Sequence, residues 1–530
     1  MKTLFTLMAM VFVTSLSAQE LHALVYFKDK PNVQTSLENP STILTQRALD
    51  RKLRHGVAVD ERDVPVNQNY INTLKSQNGI DYRTQSKWFN AAHVVGTFEN
   101  LEQLTNLDFV DRVDYADQTK SVSIDQDEKF DEEITLPADY GGATNQIEMI
   151  GLDDLHNRGF TGDNMWMAIT DSGFPRVNVN RAFETARMEG RILGGYDFVA
   201  GDESIYGDNF HGARVFSIIA GQISEGNDQY IGTAPDASYF LFRTEDHRSE
   251  TPVEMSYWVA AAERADSLGV DVVNVSLGYL GFDNSNESLT YQDIDGSSFI
   301  SRGATTASEK GLLIVTSAGN FGRSSTYPWI GAPADAPGVF AIGAVTASGN
   351  KSDFSSIGPT VDGRIRPSVV AQGTATVLVE EIGDRVVTGN GTSYSGPVIA
   401  GAMACLLQAY PNLTPAQLME AVQNSSSQGS NPDNQLGYGI PDFGETFQTL
   451  SGQELMQDEN INYYVRDNVL YINAAQGESA VPFQLFNLQG QLLIDKKILQ
   501  VDTVDLNAFT TGIYLFRIQE DAKAFKIGLK

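Results

Sequence analysis

Three widely spaced residues carry the side chains that would turn an alcohol into a nucleophile: Asp171, His211 and Ser393. A serine hydroxyl attacks carbonyls poorly until a base removes its proton. An imidazole serves as that base because its pKa lies near neutrality. The imidazole in turn needs a carboxylate to fix its tautomer and to stabilise the imidazolium. Ser393 lies in Gly391-Thr392-Ser393-Tyr394-Ser395-Gly396-Pro397, which runs into the apolar stretch Val398 to Leu407. The pattern predicts a turn feeding a helix buried on every face, with Pro397 in its first turn. Ser393 would then stand at the positive end of that helix, where free N–H groups face any negative charge that forms. A serine in such a place is otherwise a plain helix cap.

Chain order narrows the chemistry. Of six histidines (His22, His55, His93, His156, His211 and His247), none follows Ser393. The order serine, acid, histidine of α/β-hydrolases is therefore excluded, and Ser395 stands where the Gly-x-Ser-x-Gly elbow needs glycine. The order that remains is Asp171, His211, Ser393. The segments Asp171-Ser172-Gly173, His211-Gly212-Ala213-Arg214-Val215 and Gly391-Thr392-Ser393-x-x-x-Pro397 resemble the three signature segments of subtilisin-like serine proteases. The resemblance spans about Gln146 to Gly444 and takes in Gly232-Thr233-Ala234-Pro235, Ser276-Leu277-Gly278 and Ala318-Gly319-Asn320.

The resemblance implies that Asp171 orients His211, that His211 deprotonates Ser393, and that Asn320 with the Ser393 N–H holds the oxyanion. It implies that Ser276, Leu277 and Gly278, with Ala318 and Gly319, receive extended polypeptide substrates. It implies no required cofactor, and a structural Ca2+ only as a family habit. Ala213 and Arg214 replace the usual threonine and histidine; Tyr394, Ser395, Gly396 and Val398 replace methionine, alanine, serine and histidine. No replacement removes a group with a direct chemical role. The missing methionine predicts tolerance of peroxide. The competing reading is a surface adhesion protein built on an inactive scaffold of this type.

The elements that must position these residues follow from periodicity. Strand-like runs Met165 to Thr170, Ser238 to Phe242, Val270 to Val275, Leu312 to Thr316 and Val339 to Val345 alternate with helical patterns at Gln146 to Asn157, His211 to Gly221, Pro252 to Leu268 and Ser297 to Lys310. Several strands are apolar throughout, which predicts an α/β domain with a parallel sheet covered on both faces. Sites in such sheets form at the carboxyl ends of strands, which puts Asp171, Gly278 and Asn320 on one rim.

The flanks differ in character. Residues 1–18 read as a secretory signal peptide, with Lys2, an apolar run from Leu4 to Val13 and small residues before Gln19. Residues 19–120 read as a small α+β unit that loosely resembles the propeptide of these proteases, and 121–142 as an acidic linker open to cleavage. The peptidase domain is placed at 143–450. Residues 455–530 read as an all-β module; Gly512-x-Tyr514-x-Phe516-x-Ile518, followed by Lys523, Lys526 and Leu529-Lys530, resembles the sorting domain of the type IX secretion system. That implies the type IX machinery as partner and a secreted or cell-surface location.

The net charge of -30 over 530 residues excludes a nucleic-acid partner, which would need a basic face. The single cysteine, Cys405, excludes an intramolecular disulfide. No His/Cys cluster has zinc spacing, Asp293-Ile294-Asp295-Gly296 reads as a turn rather than a calcium loop, and no metal ligand is assigned. His156 reads as a helix-end residue and His247 as solvated loop. The chain is expected to act as a monomer.

Overall fold

The apolar runs spaced between helices assemble, in the computed structural model, into one seven-stranded parallel sheet. The structure describes residues 20–117, 143–224 and 229–455 and, in the C-terminal region, 461–466, 469–474, 481–487, 490–498, 501–510, 512–518 and 525–529. The expected signal peptide and acidic linker lie outside the described residues, as do Lys523 and Lys530. The chain divides at Gly444 into two compact units.

The first unit begins with four antiparallel strands: β1 (Glu20–Phe27), β2 (Ile80–Ser86), β3 (Ala91–Thr97) and β4 (Val110–Tyr115), in the order β2-β3-β1-β4. Helices α1 (Gln46–Arg54) and α2 (Gln68–Lys75) lie between β1 and β2. The segment from Pro40 forms a 3-10 turn, Pro40–Thr42, and then α1. Thr45 starts α1 by accepting the Ala48 N–H, leaving no continuous helix across the two. Val25, Phe27, Ile71, Leu74 and Val94 form the core of this α+β domain.

The sheet beyond it comprises β5 (Trp166–Asp171), β6 (Ile192–Asp197), β7 (Ser238–Arg243), β8 (Val272–Val275), β9 (Leu313–Ser317), β10 (Phe340–Val345) and β11 (Val369–Gln372). Their order is β11-β10-β9-β8-β5-β7-β6, and every neighbouring pair is parallel. The pattern from Gln146 to Asn157 splits into α3 (Thr144–Glu148) and α4 (Leu152–Asn157) around Gly151, whose φ of 63° is left-handed. The strand β6 was hidden by its glycines. A Cβ at Gly195 would lie 2.0 Å from the Leu241 carbonyl of β7, so only glycine lets the two strands pair there.

Helices α5 (His211–Ala220), α6 (Val253–Leu268), α7 (Phe299–Glu309) and α8 (Thr392–Ala409) cover the sheet. Ala168, Val273, Val275, Ile314 and Ala341 share one core with Trp258 of α6 and Ile300 of α7. Side chains alternate along a strand, so the intervening residues Met167, Ile169, Val272 and Val315, all buried, face the other side. There α8 and α5 pack against the sheet and each other. Every residue of α8 from Tyr394 to Leu407 is buried, which anchors the helix that carries Ser393. A hairpin, β12 (Thr376–Val379) with β13 (Val386–Gly389), leads into it.

The N-terminal domain packs on α6 through β2 and α1. Arg51 and Lys52, both fully buried, converge on Asp266 of α6, with Lys52 Nζ 2.8 Å from its Oδ1. Lys310, also buried, reaches Asp60 and Asp63 at 2.7 Å each. Glu263 of α6 accepts the N–H groups of Lys87 and Trp88 at 2.9 Å each, capping the end of β2.

The second unit carries β14 (Ile461–Arg466), β15 (Val469–Ala474), β16 (Val481–Asn487), β17 (Leu492–Ile498), β18 (Val501–Asp505), β19 (Gly512–Ile518) and β20 (Phe525–Leu529). They form antiparallel sheets ordered β14-β15-β18 and β17-β16-β19-β20 around Leu470, Phe483, Leu485, Val504, Tyr514 and Phe516. β17 and β18 escape a reading by apolar alternation because lysines and aspartates fill many of their positions.

Candidate active site

Neighbouring strands β5, β8 and β9 deliver the candidate residues to one rim. Asp171, the last residue of β5, is fully buried, and its Oδ1 accepts the His211 Nδ1–H at 2.8 Å and the Ser172 N–H at 2.7 Å. With the proton held on Nδ1, the imidazole presents Nε2 as a base. His211 opens α5, and its own N–H donates to Asn209 Oδ1 at 2.9 Å, which sets the start of the helix. The glycine after it is sterically required. A Cβ at Gly212 would sit 2.4 Å from the Gly173 carbonyl and 2.8 Å from the Asp171 Cβ, prising the carboxylate from the ring.

Ser393 sits in the first turn of α8, half-buried. Its Oγ donates to the Ser276 carbonyl at 3.1 Å, and Ser276 Oγ donates back to the Ser393 carbonyl at 3.0 Å. The second bond explains a correction to the sequence reading. The helix starts at Thr392, so Pro397 lies inside it rather than in its first turn. A proline there has no N–H for the Ser393 carbonyl, and Ser276 supplies the missing donor. Asn274 Nδ2 holds Ser276 Oγ at 2.9 Å, and Ser317 Oγ donates to the Thr392 carbonyl at 3.1 Å.

Asn320 is exposed just beyond β9. Its Oδ1 accepts the Thr392 N–H at 2.9 Å and the Thr392 hydroxyl at 3.0 Å. A backbone N–H can only donate, so the oxygen must face Thr392 and the NH2 group must face away. A Cβ on Gly391 would lie 3.7 Å from Asn320 Nδ2 and 3.9 Å from the Ser393 Cβ, so the amide and the serine flank the same space.

The remaining candidates separate. Gly278 is exposed, as a backbone that receives another strand must be, whereas Leu277 and Ala318 are buried. Ala318 gives its N–H to Ile342 at 2.9 Å and supports the rim from beneath. Gly319 donates its N–H to Thr392 Oγ1 at 3.2 Å. Sequence reasoning missed Thr392 as the clamp on Asn320; its only signal was adjacency to Ser393. It also missed that the replaced residues have new partners. The buried Tyr394 ring lies 5.9 Å from the His211 ring at 30°, and Arg214 pairs with Glu381 at 3.0 Å while its guanidinium lies 4.0 Å from the Phe210 ring.

Two of the other histidines have partners outside the candidate residues. His156 at the end of α4 donates to the Thr233 carbonyl at 3.1 Å. His247 is exposed in a loop, as read, and pairs there with Asp208 at 2.8 Å. Among the described residues, Glu245, Glu250 and Glu254 bring carboxylate oxygens within 4.8 Å of one another. Glu254 accepts the N–H groups of Asp246 and Thr251, and Glu245 accepts the Tyr279 hydroxyl. Three carboxylates, two of them already accepting hydrogen bonds from the protein, fall short of the six to eight oxygen ligands of a calcium cage.

Residues 162–439 match the subtilase family, peptidase S8. Residues 22–132 match the peptidase S8 propeptide domain of Bacteroidota, and residues 466–527 a secretion system C-terminal sorting domain, which marks the protein for export to the surface or medium. Subtilisin NAT of Bacillus subtilis subsp. natto is 27% identical over 355 residues, covering 66% of this chain and 79% of its own. Subtilisin DY of Bacillus licheniformis is 28% identical over 281 residues, covering 53% of this chain and 90% of its own. The solved structure of the MycP3 protease from the type VII (ESX-3) secretion system aligns at 22% identity with a TM-score of 0.48, covering 60% of this chain and 91% of that one. With its peptidase segment matched over more than half its length, the chain belongs to the subtilase family and is a subtilisin-like serine endopeptidase with an N-terminal propeptide and a C-terminal sorting domain.

Proposed function

We propose that Asp171, His211 and Ser393 form one hydrolytic unit, with Asn320 Nδ2 and the Ser393 N–H as its oxyanion donors. Ser393 Oγ bonds to the carbonyl carbon of a peptide as its proton passes to His211 Nε2. The imidazolium returns that proton to the departing amine, leaving an acyl-enzyme. Water then repeats the sequence and restores the serine. Before attack, the hydroxyl must leave the Ser276 carbonyl that it engages here. Gly278 and Gly319, with Ser276, Leu277 and Ala318 beneath them, receive extended backbone, so flexible segments of polypeptides are cut. The same site cleaves its own chain between 121 and 142, separating a propeptide of 19–120 from a peptidase of 143–450; 455–530 directs export through the type IX machinery.

The observation that carries this reading is the fixed pair of orientations: Nδ1 of His211 bound to buried Asp171, and the Asn320 amide locked by Thr392 beside Ser393. Fluorophosphonate labelling of the full chain tests it. Label on Ser393, absent in Ser393→Ala and after loss of His211, is expected. An unlabelled Ser393 in folded protein points instead to a surface-binding protein on an inactive scaffold. Self-cleavage is a separate test: if Ser393→Ala protein shows the same mature N-terminus as wild type, another protease makes the cut.

A further inference from the structure

We infer that Phe321 fills the slot for the substrate side chain on the acyl side of the scissile bond, restricting that residue to glycine, alanine or serine. The inference rests on Ser393 as nucleophile and Asn320 as oxyanion donor. A carbonyl carbon within reach of Ser393 Oγ, with its oxygen toward Asn320 Nδ2, belongs to a residue whose side chain must pass between the segments leaving β8 and β9. Those segments are Ser276 to Tyr279 and Ala318 to Phe321. The far wall is Gly331-Ala332, tied to the first segment by Tyr279 N–H to the Ala332 carbonyl at 2.7 Å and Ala332 N–H to the Tyr279 carbonyl at 3.1 Å.

All three walls carry a glycine, at Gly278, Gly319 and Gly331. Walls of bare backbone would leave a deep slot for a large apolar side chain if nothing else occupied it. The Phe321 ring does. Its Cδ2 and Cε2 lie 3.3 and 3.4 Å from where a Cβ on Gly319 would stand, and Cε2 lies 3.7 Å from the same position on Gly331. A ring at van der Waals distance from both walls takes up the space between them.

The ring is also braced. Tyr327 meets it edge-on, with centroids 5.8 Å apart at 85°, and Tyr327 is itself buried with its hydroxyl on the Ile330 carbonyl at 2.9 Å. Phe321 N–H donates to Ser356 Oγ at 3.0 Å, fixing the backbone from which the ring projects. To admit a leucine or phenylalanine side chain, the ring would have to leave Tyr327 and both glycines. An alanine methyl requires no such movement. The ionisable group on these walls, the Tyr279 phenol, is kept protonated by burial and by Glu245, so a charged side chain gains no ion pair there.

Fluorogenic peptides identical except for alanine, leucine or phenylalanine at the acyl-side position test this on the full chain, with fluorophosphonate labelling of Ser393 run on the same sample. Wild type should favour alanine over phenylalanine by at least about tenfold in kcat/KM, within the range that pocket size sets for apolar side chains. Phe321→Ala should raise the phenylalanine-to-alanine ratio by at least about tenfold, and Phe321→Leu, which keeps apolar packing against Tyr327, by less. Wild type that prefers phenylalanine would mean that the ring is a stacking wall, and the inference fails. It fails equally if Ser393 is labelled but a folded Phe321→Ala leaves the ratio unchanged. If Ser393 takes no label and no peptide is cut, the hydrolytic reading falls and this inference with it.

Discussion

The seam between the N-terminal domain and the peptidase and the rim around Ser393 are held by opposite means. At the seam, buried charges do the joining. Burial raises the Asp266 carboxyl, but Arg51 and Lys52 outweigh it and hold the group below the usual carboxylate range. At the rim, position is set by hydroxyls, amides and backbone: Thr392 on Asn320, Ser317 on Thr392, Ser276 on Ser393. Neutral hydrogen bonds fix geometry with little sensitivity to pH or salt, whereas an ion pair shared across two domains depends on both partners staying charged and enclosed. The N-terminal domain is thus fastened by charges that a change of protonation or solvation can undo, and the rim by contacts largely indifferent to both.

The largest effect is expected from Asp266→Ala. It would strand the fully buried Arg51 and Lys52 without their shared carboxylate, a loss of about 3–5 kcal/mol when one partner of a buried pair is removed. In a Ser393→Ala background, amide exchange at Lys87 and Trp88 should accelerate accordingly while α8 stays protected. Equal exchange in both proteins would show that the apolar packing of β2 on α6, and not the charges, holds the seam. Next is Asn320→Ala, which removes the proposed oxyanion donor without touching Asp171 or His211. A fall of about 10²–10³ in kcat at nearly constant KM is expected, the loss typical of one such donor. A KM effect alone would return Asn320 to a merely structural place on the rim.

The same contrast decides what could be read beforehand. The rim was legible because its parts are short local motifs: a strand ending in Asp171, a helix opening with His211-Gly212, a helix opening after Gly391-Thr392. The strongly apolar strands β5, β7, β8, β9 and β10 were legible for the same reason. Strand β6 was not, because the glycine that permits its approach to Leu241 also erases the apolar pattern. The seam was invisible, since Arg51 and Asp266 stand 215 residues apart and nothing local to either announces the other. Pro397 misled about the helix start because its missing N–H is compensated from Ser276, in a different element.

A pH experiment sharpens the comparison, because the seam contains two uncharged histidines. His22 Nδ1 and His93 Nε2 lie 3.0 Å apart, and His93 Nδ1 lies 2.7 Å from Ser256 Oγ of α6. Burial and then the Arg83 charge lower His22 to about 4; burial, His22 and Arg83 push His93 well below its ordinary value. Undocked, both would titrate near 6.5. The docked state therefore binds fewer protons, and docking weakens as pH falls from about 6.5 toward 4, by up to about tenfold per pH unit per histidine. Glu287, raised to about 7 chiefly by burial, acts in the opposite sense, as does the buried Glu263. The clean readout is thus the difference between wild type and His22→Gln/His93→Gln in a Ser393→Ala background. At each pH below 6.5, seam amides of wild type should open more readily relative to the double variant than they do at pH 7.5. Parallel profiles for the two proteins would assign the seam's pH response to the carboxylates.

The smallest expected effect is one at the rim. Next to Ser393 stands Tyr394, buried, with its ring against Gly389 and beside His211, where the sulfoxide of a methionine would press on both the histidine and the serine. Met403 is on the same helix but about three turns further along it than Ser393, so a sulfoxide there would not reach the rim. Dilute peroxide should therefore leave labelling of Ser393 and peptide hydrolysis nearly unchanged, whereas Tyr394→Met should lose both together as the sulfoxide forms. The variant matters because it separates the side chain from its setting. A wild type that loses activity in peroxide as fast as Tyr394→Met would place the sensitive group elsewhere than position 394.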